Sequence, residues 1–118
     1  MKESIIKEKS YEFALRIVKL YQYLTLGSEK KEYVLSKQAL RSGTSVGANV
    51  KEALRGQSRP DFRAKMSIAL KEASETEYWL NLLHDSGYID EMSFDSIMKD
   101  NVEIIKILTS IVKNSEND

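Results

Sequence analysis

Two groups of polar side chains have the types and spacing that could do chemistry, and the first lies on a predicted helix. Gln38, Ser42, Ser45 and Asn49 recur at steps of four, three and four residues, so they form one narrow stripe on a helix. Such a stripe either bonds to backbone carbonyls and neighbouring helices, which fixes their register, or lines a polar pocket for a small ligand or nucleotide. The spacing leaves both interpretations open.

The second group consists of basic side chains around the turn that follows this helix. Residues 37–71 carry eight basic and two acidic side chains, whereas residues 72–118 carry three basic and eleven acidic ones, and the net charge is zero. The basic region is either a solvated hairpin end paired with nearby acids or a surface that contacts nucleic-acid phosphates. The candidate nucleic-acid contacts are Arg41, Lys51, Arg55, Arg59, Arg63 and Lys65.

Enzymatic chemistry has little support in the available side chains. The chain has no cysteine, which excludes disulfides, thiolate metal sites and cysteine nucleophiles. His84 is the only histidine, and because Asn81 stands three residues before it, the Glu-x-x-His pair of a di-iron bundle is missing. A lone histidine near a helix end could still act as a general base. We expect a non-enzymatic protein without a catalytic residue, a metal site or a cofactor.

The composition is typical of a single soluble domain built from long helices. The 118 residues are 42% hydrophobic and 31% charged, with one proline and five glycines, and so few breakers favour long helices. The N-terminal segment lacks the apolar core of a signal peptide, and no apolar run has the length of a membrane span. We therefore expect a cytoplasmic protein with no membrane contact.

Hydrophobic periodicity predicts one domain (1–118) with four helices joined by short loops. Sequence neighbours are then antiparallel, so the expected fold is an all-α, antiparallel up-down-up-down four-helix bundle. Residues 1–9 either extend the first helix or form an arm. The predicted helices span about 10–25, 29–55, 59–86 and 91–113.

Several residues carry the signals of helix ends. Ser10 is a candidate N-cap of the first helix, and Gly27-Ser28 are expected to end it and start the next. Gly56 is predicted as the left-handed residue after the second helix, and Gly87 ends the third. Ser58 and Asp61 form a capping box with a proline in the first turn, which is the clearest boundary in the chain.

The interior of the helices shows one regular seam and two irregularities. Gly43 and Gly47 lie one turn apart on the apolar side of the second helix, and each costs ~1 kcal/mol relative to alanine. A helix that carries two such glycines is predicted to lie close to the backbone of another segment. Asn101 interrupts the seam of the fourth helix. The third helix has an unbroken seam of Phe62, Met66, Ala69, Ala73, Thr76, Leu80 and Leu83.

Two segments resemble the four-helix bundle protein family, also called the S23 or 23S rRNA intervening-sequence protein family. The resemblance covers roughly positions 10 to 113. It is densest in a Glu-x-x-Tyr-Trp-Leu segment at Glu75, Tyr78, Trp79 and Leu80, and in a polar pattern on the second helix. That polar pattern consists of Ser36, Gln38, Arg41, Ser42, Ser45 and Asn49.

The resemblance implies a closed ring of antiparallel four-helix bundles, a homopentamer, and it implies no established enzymatic activity. Some family members are encoded within insertions in large-subunit rRNA genes, and a distant relative works with a reverse transcriptase and nucleic acid. Tyr78 and Trp79 are adjacent and point in different directions, so one of them could pack between subunits, although core packing of Trp79 is an equal alternative.

These observations support two hypotheses for function. The first is an oligomeric, non-enzymatic module that binds RNA or a nucleoprotein partner through residues 41–65. The second is a purely structural homo-oligomer whose basic and acidic regions satisfy each other. Apolar residues outside the seam of the third helix must be covered by neighbouring helices or neighbouring subunits. These residues are Ile68, Leu70, Trp79 and Leu82.

Overall fold

A computed structural model describes residues 1–27 and 29–116, and these residues are helical apart from short connections. The all-α fold class predicted from periodicity is confirmed. The helices are α1 (Lys2–Gln22), which continues into a π-helical turn (Tyr23–Gly27), α2 (Leu35–Leu54), α3 (Arg59–Asp85) and α4 (Glu91–Ser115).

The four helices form an elongated bundle of 50 × 21 × 19 Å. Each helix packs against two others, in the order α1, α2, α3, α4 and back to α1. Contacts between α1 and α2 run in opposite directions along the two helices, because Gly47 faces Ser10 whereas Gly43 faces Ile17. This packing is that of the predicted antiparallel bundle.

The seam predicted for α3 is buried at every position. Met66, Ala69, Ala73, Leu80 and Leu83 have no exposed surface, and they pack into one core with apolar residues from all four helices. A spacing that alternates four and three keeps one face of a helix directed at its neighbours, so the pattern alone defines the buried side. In α4, Ile97, Ile104, Leu108 and Ile111 are buried around a fully buried Asn101.

Two of the predicted helix boundaries are confirmed by their cap geometry. The Ser58 hydroxyl accepts a hydrogen bond from the Asp61 amide (3.2 Å), and Pro60 occupies the first turn of α3. Gly87 has a φ of +84° just after α3 ends. The prediction of a left-handed Gly56 is wrong, because Gly87 is the glycine with positive φ among the described residues.

The predicted start of α1 at Ser10 is wrong, because the helix begins eight residues earlier at Lys2. Ser10 is buried within the helix, where its hydroxyl donates to the Lys7 carbonyl (3.3 Å). Ile6, one turn before Ser10, is fully buried in the core. Burial of that side chain stabilises the extra turns, so the segment extends the helix and does not form an arm.

The predicted start of α2 near residue 29 is also wrong, because the helix begins at Leu35. The buried carboxylate of Glu32 accepts hydrogen bonds from the amides of Val34 (3.1 Å), Leu35 (3.0 Å) and Ser36 (2.7 Å). Burial acts to raise the pKa of Glu32, but these backbone donors outweigh it and hold the pKa below its ordinary value. The expected start signal at Ser28 lies outside the described residues.

Candidate nucleic-acid surface

The polar stripe of α2 bonds to its own helix and to α3. Ser45 donates to the Arg41 carbonyl (2.7 Å), and the Asn49 amide donates to the Ser45 carbonyl (2.9 Å). Ser42 is fully buried, and its hydroxyl lies 2.8 Å from that of Thr76 on α3. These contacts favour the interpretation in which the stripe fixes the register of two helices.

The two segments that carry the family resemblance meet across α2 and α3. The Arg41 guanidinium pairs with the carboxylates of Glu72 (3.4 Å) and Glu75 on α3. Glu75 also accepts a hydrogen bond from the indole nitrogen of Trp79 (3.2 Å). Gln38 is half-buried on α2, and Ser36 donates to the Glu32 carbonyl (2.7 Å). Arg41 therefore contributes to helix packing, and its charge is balanced within the chain.

Tyr78 and Trp79 point in different directions, as predicted for adjacent helical residues. Their rings meet edge to face, with centroids 5.1 Å apart and an interplanar angle of 74°. Trp79 is half-buried against the core, whereas 58% of Tyr78 is exposed. Core packing accounts for Trp79, and Tyr78 stays a predicted interface residue.

Three of the other predicted phosphate contacts have partners within the chain. Arg63 pairs with Glu116 (3.4 Å), and Lys65 pairs with Glu52 (3.4 Å). The Arg59 guanidinium lies over the Phe62 ring, 4.6 Å from its centroid. The two ion pairs reduce the net positive charge that the hairpin end offers to a ligand.

Lys51 and Arg55 differ from the other four predicted nucleic-acid contacts. They lie four residues apart at the C-terminal end of α2, where Arg55 directly follows the last helical residue. Both are exposed, and neither side chain has an ion-pair or hydrogen-bond partner within the described part of the chain. We call these two residues the basic ridge. The ridge borders an open cleft of about 620 Å³ that extends to Ser58, Asp61 and Lys65 at the α2–α3 hairpin.

The basic ridge also borders a groove between α1 and α2, which contains two residues that the sequence analysis did not single out. Lys7 and Tyr11 of α1 lie along this groove. Neither belongs to a motif, and a lysine or tyrosine within a long amphipathic helix carries no signal of its own. Only the packing of α1 against α2 brings them to the ridge.

His84 lies in a charged cluster that joins the end of α3 to the start of α4. Its Nε2 is 2.5 Å from Glu91 Oε2, its Nδ1 is 3.1 Å from Asp85 Oδ1, and its ring stacks on Phe94 (centroids 4.1 Å apart). The hydrogen bond to Glu91 raises the pKa of His84 against the opposing effect of desolvation, and Asp85 adds to the rise. This arrangement connects two helices.

Residues 1–27 and 29–116 lack the features of two further classes of site. No three side chains of the kinds that bind metals come close enough together there to hold an ion. None of the helices in this part of the chain combines the length and the apolar character that crossing a bilayer requires.

The fold and these contacts define an all-α bundle whose polar α2 pattern lies at the α2–α3 packing surface. A family model described as 23S rRNA-intervening sequence protein matches residues 2–110, and the chain belongs to this family. The chain is also similar to a crystal structure of a protein with unknown function from the S23 ribosomal protein family of Bacteroides thetaiotaomicron VPI-5482. The two share 57% identity over 96% of this chain and 99% of that one, with a TM-score of 0.92. No curated protein matches the chain.

Proposed function

We propose that the protein is a non-enzymatic, cytoplasmic RNA-binding module whose contact surface is centred on the basic ridge. The observation that carries this proposal is the pair of exposed, unpartnered cations Lys51 and Arg55 beside an open cleft. A cation that is already paired with a carboxylate must give up this partner before it contacts a phosphate, which costs up to about 1 kcal/mol for an exposed pair. The ridge therefore replaces the broader 41–65 surface as the primary contact.

RNA is the nucleic acid to test first, because the family is described as 23S rRNA-intervening sequence protein. Phosphate binding releases condensed counterions, so affinity that depends on phosphate contacts falls steeply as salt rises. The chain has no net charge, so binding must depend on this local surface and not on the overall field of the protein.

The double variant Lys51→Gln/Arg55→Gln should weaken binding to a mixed-sequence single-stranded RNA and flatten its salt dependence. Two lost phosphate contacts should reduce the slope of log K against log salt by about 1.4. Filter binding at a series of salt concentrations measures this slope. The matched control, Lys99→Gln/Lys106→Gln, removes the same charge from exposed positions on α4 and should leave the slope unchanged.

Equal losses of RNA affinity in the two double variants would show that binding depends only on total charge. This result would contradict a local contact surface. A wild-type protein with no measurable RNA affinity at low salt would overturn the proposal, and the structural function would stand in its place.

The structural function is a second candidate, and exposed apolar side chains on α3 favour it. Ile68 is 41% and Tyr78 58% exposed, and Leu70, Trp79 and Leu82 are only partly buried. Association of copies of the chain would remove this surface from water, which stabilises assemblies in proportion to the apolar area buried. We propose a homo-oligomer, and the family resemblance makes a pentameric ring the specific form to test.

Light scattering should therefore give a mass several times the 13.5 kDa of one chain, and five times it for the pentamer. Tyr78→Glu should lower this mass, because a carboxylate placed in an apolar interface loses its hydration. Met92→Glu is the control, since Met92 is 84% exposed and belongs to α4 and not to α3. A 13.5 kDa mass for the wild type at micromolar concentration would contradict oligomerisation.

A further inference from the structure

A groove of about 840 Å³ lies between α1 and α2. It exists because the facing residues are small, so two packed helices leave a valley between their surfaces. At its narrowest point a Cβ atom on Gly47 would lie 3.2 Å from the Ser10 carbonyl oxygen. The floor is formed by Ser10, Ala14, Thr44, Gly47 and Ala48.

The edges of this groove carry an aromatic ring and three cations. Tyr11 is 66% exposed, which makes it the most exposed aromatic side chain among the described residues. Lys7 lies one turn from Tyr11 on α1, and the basic ridge forms the opposite edge on α2. Neither Lys7 nor the two ridge residues have an ion-pair partner within the described residues. Glu8 is the one acid among the lining residues.

The groove and the cleft at the α2–α3 hairpin share one edge, because Lys51 and Arg55 line both. A chain of phosphates that follows α1 and α2 can therefore reach the ridge from the groove, whereas the cleft beyond the ridge also carries the carboxylates of Glu52 and Asp61. From Ser4 to Ala14 the groove follows about 15 Å of helix.

We propose that the α1–α2 groove binds single-stranded RNA, with phosphates on Lys7 and the basic ridge and an unpaired base stacked on Tyr11. This inference rests on the proposed RNA-binding function and identifies the form of RNA and the stacking residue. A cationic track with an exposed aromatic ring is the arrangement by which proteins hold single strands, since every unpaired base offers a face for stacking.

Double-stranded RNA cannot use the aromatic ring of this groove. Its bases are stacked on each other and are inaccessible to Tyr11, so it can contact only the cations. The groove should therefore distinguish the two forms of RNA through Tyr11 and not through Lys51 or Arg55, which contact phosphates in either form.

Fluorescence anisotropy with a labelled single strand, and with the same strand annealed to its complement, tests this proposal on the full-length protein. Tyr11→Ala should lower affinity for the single strand about tenfold and leave affinity for the duplex unchanged. Tyr11→Phe keeps the ring and should bind as the wild type does. Tyr23→Ala removes a similarly exposed ring (54%) outside the groove and should have no effect. Glu8→Gln should strengthen binding.

The possible failures can be told apart. If the wild type binds the two RNA forms equally and Tyr11→Ala changes neither, the groove is not a single-strand site, although RNA binding through the ridge stands. If the wild type binds neither RNA, the proposed function fails as well, and this is seen before any substitution is made. If Tyr11→Ala alters the mass in light scattering but not RNA affinity, a second copy of the chain occupies the groove, and the proposal is overturned. Weaker binding by Glu8→Gln also contradicts it.

Discussion

Gly47→Leu is expected to lower the free energy of unfolding by about 2–3 kcal/mol, the upper part of the range for overpacking. A Cβ atom at this position would lie 3.2 Å from the Ser10 carbonyl oxygen and 3.4 Å from its carbonyl carbon. Both atoms belong to the backbone of α1, so no side chain can rotate away, and the two helices must separate. The gain in helix propensity, about 1 kcal/mol for replacing a glycine, offsets only part of the cost.

Urea unfolding at one fixed protein concentration measures this difference, with Ser42→Ala as the comparison. Ser42 is as buried as any residue of α2, but loss of its hydroxyl should cost only about 1 kcal/mol, because Thr76 keeps the Glu72 carbonyl (2.8 Å) as a partner. Gly47→Ala should fall between the two variants. A leucine variant as stable as the wild type would mean that α1 and α2 do not depend on this close approach.

The elements that could be predicted from the sequence are those determined by nearby residues. The α3 seam is one example, since alternating spacings of four and three define a buried face whatever the partner helix is. The Ser58 cap and the helix end at Gly87 are others, because a hydroxyl at an N-cap and a glycine after a helix act within a few residues. The close approach at Gly47 could also be inferred, because a glycine in a helix interior has a known cost.

The starts of α1 and α2 could not be predicted because their determinants are tertiary or unusual. Residues 29–34 contain glutamate and lysine, which favour helices, yet Glu32 uses its carboxylate to cap α2 from outside the helix. Lys31, with a φ of +50°, turns the chain immediately before it. Nothing in the residue types distinguishes this arrangement from another helical turn.

The candidate surface was predictable in its residue types but not in its electrostatics. The cations of residues 41–65 are evident from the sequence, whereas the carboxylates that neutralise Arg41 and Arg63 lie 31 or more residues away along the chain. Whether a cation is available to a ligand is therefore a property of the folded chain. The same holds for Tyr11, whose position beside the basic ridge depends on how α1 packs on α2.

Asn101→Asp is expected to lower the free energy of unfolding by about 3–5 kcal/mol at neutral pH, the range for an uncompensated buried charge. The side chain is fully buried in the core, where its amide nitrogen donates to the Ala73 carbonyl on α3 (3.0 Å). Its Oδ1 has no hydrogen-bond partner among the described residues. An aspartate of the same shape would lose the donor, place a negative oxygen against that carbonyl and leave two charged oxygens without water.

The loss of stability caused by Asn101→Asp should increase as pH rises. Burial and the Ala73 carbonyl both favour the protonated acid, so the pKa of the introduced aspartate is raised in the folded state. A raised carboxyl pKa means that the cost is smallest below the ordinary aspartate pKa of about 3.9 and grows as pH rises above it. The protonated acid can also donate to the Ala73 carbonyl as the asparagine does, which restores the bond between α4 and α3.

Unfolding of the variant and the wild type, compared at each pH from acid to neutral, measures this difference and cancels the titration of groups that both proteins share. Asn81→Asp is the matched control, because Asn81 also donates to a carbonyl, that of Glu77 (2.9 Å), but is exposed on α3. Asn81→Asp should lower the free energy of unfolding by less than about 1 kcal/mol, and this loss should change little with pH. Equal losses of stability in the two variants at neutral pH would mean that water has access to Asn101. The core between α3 and α4 would then not exclude water.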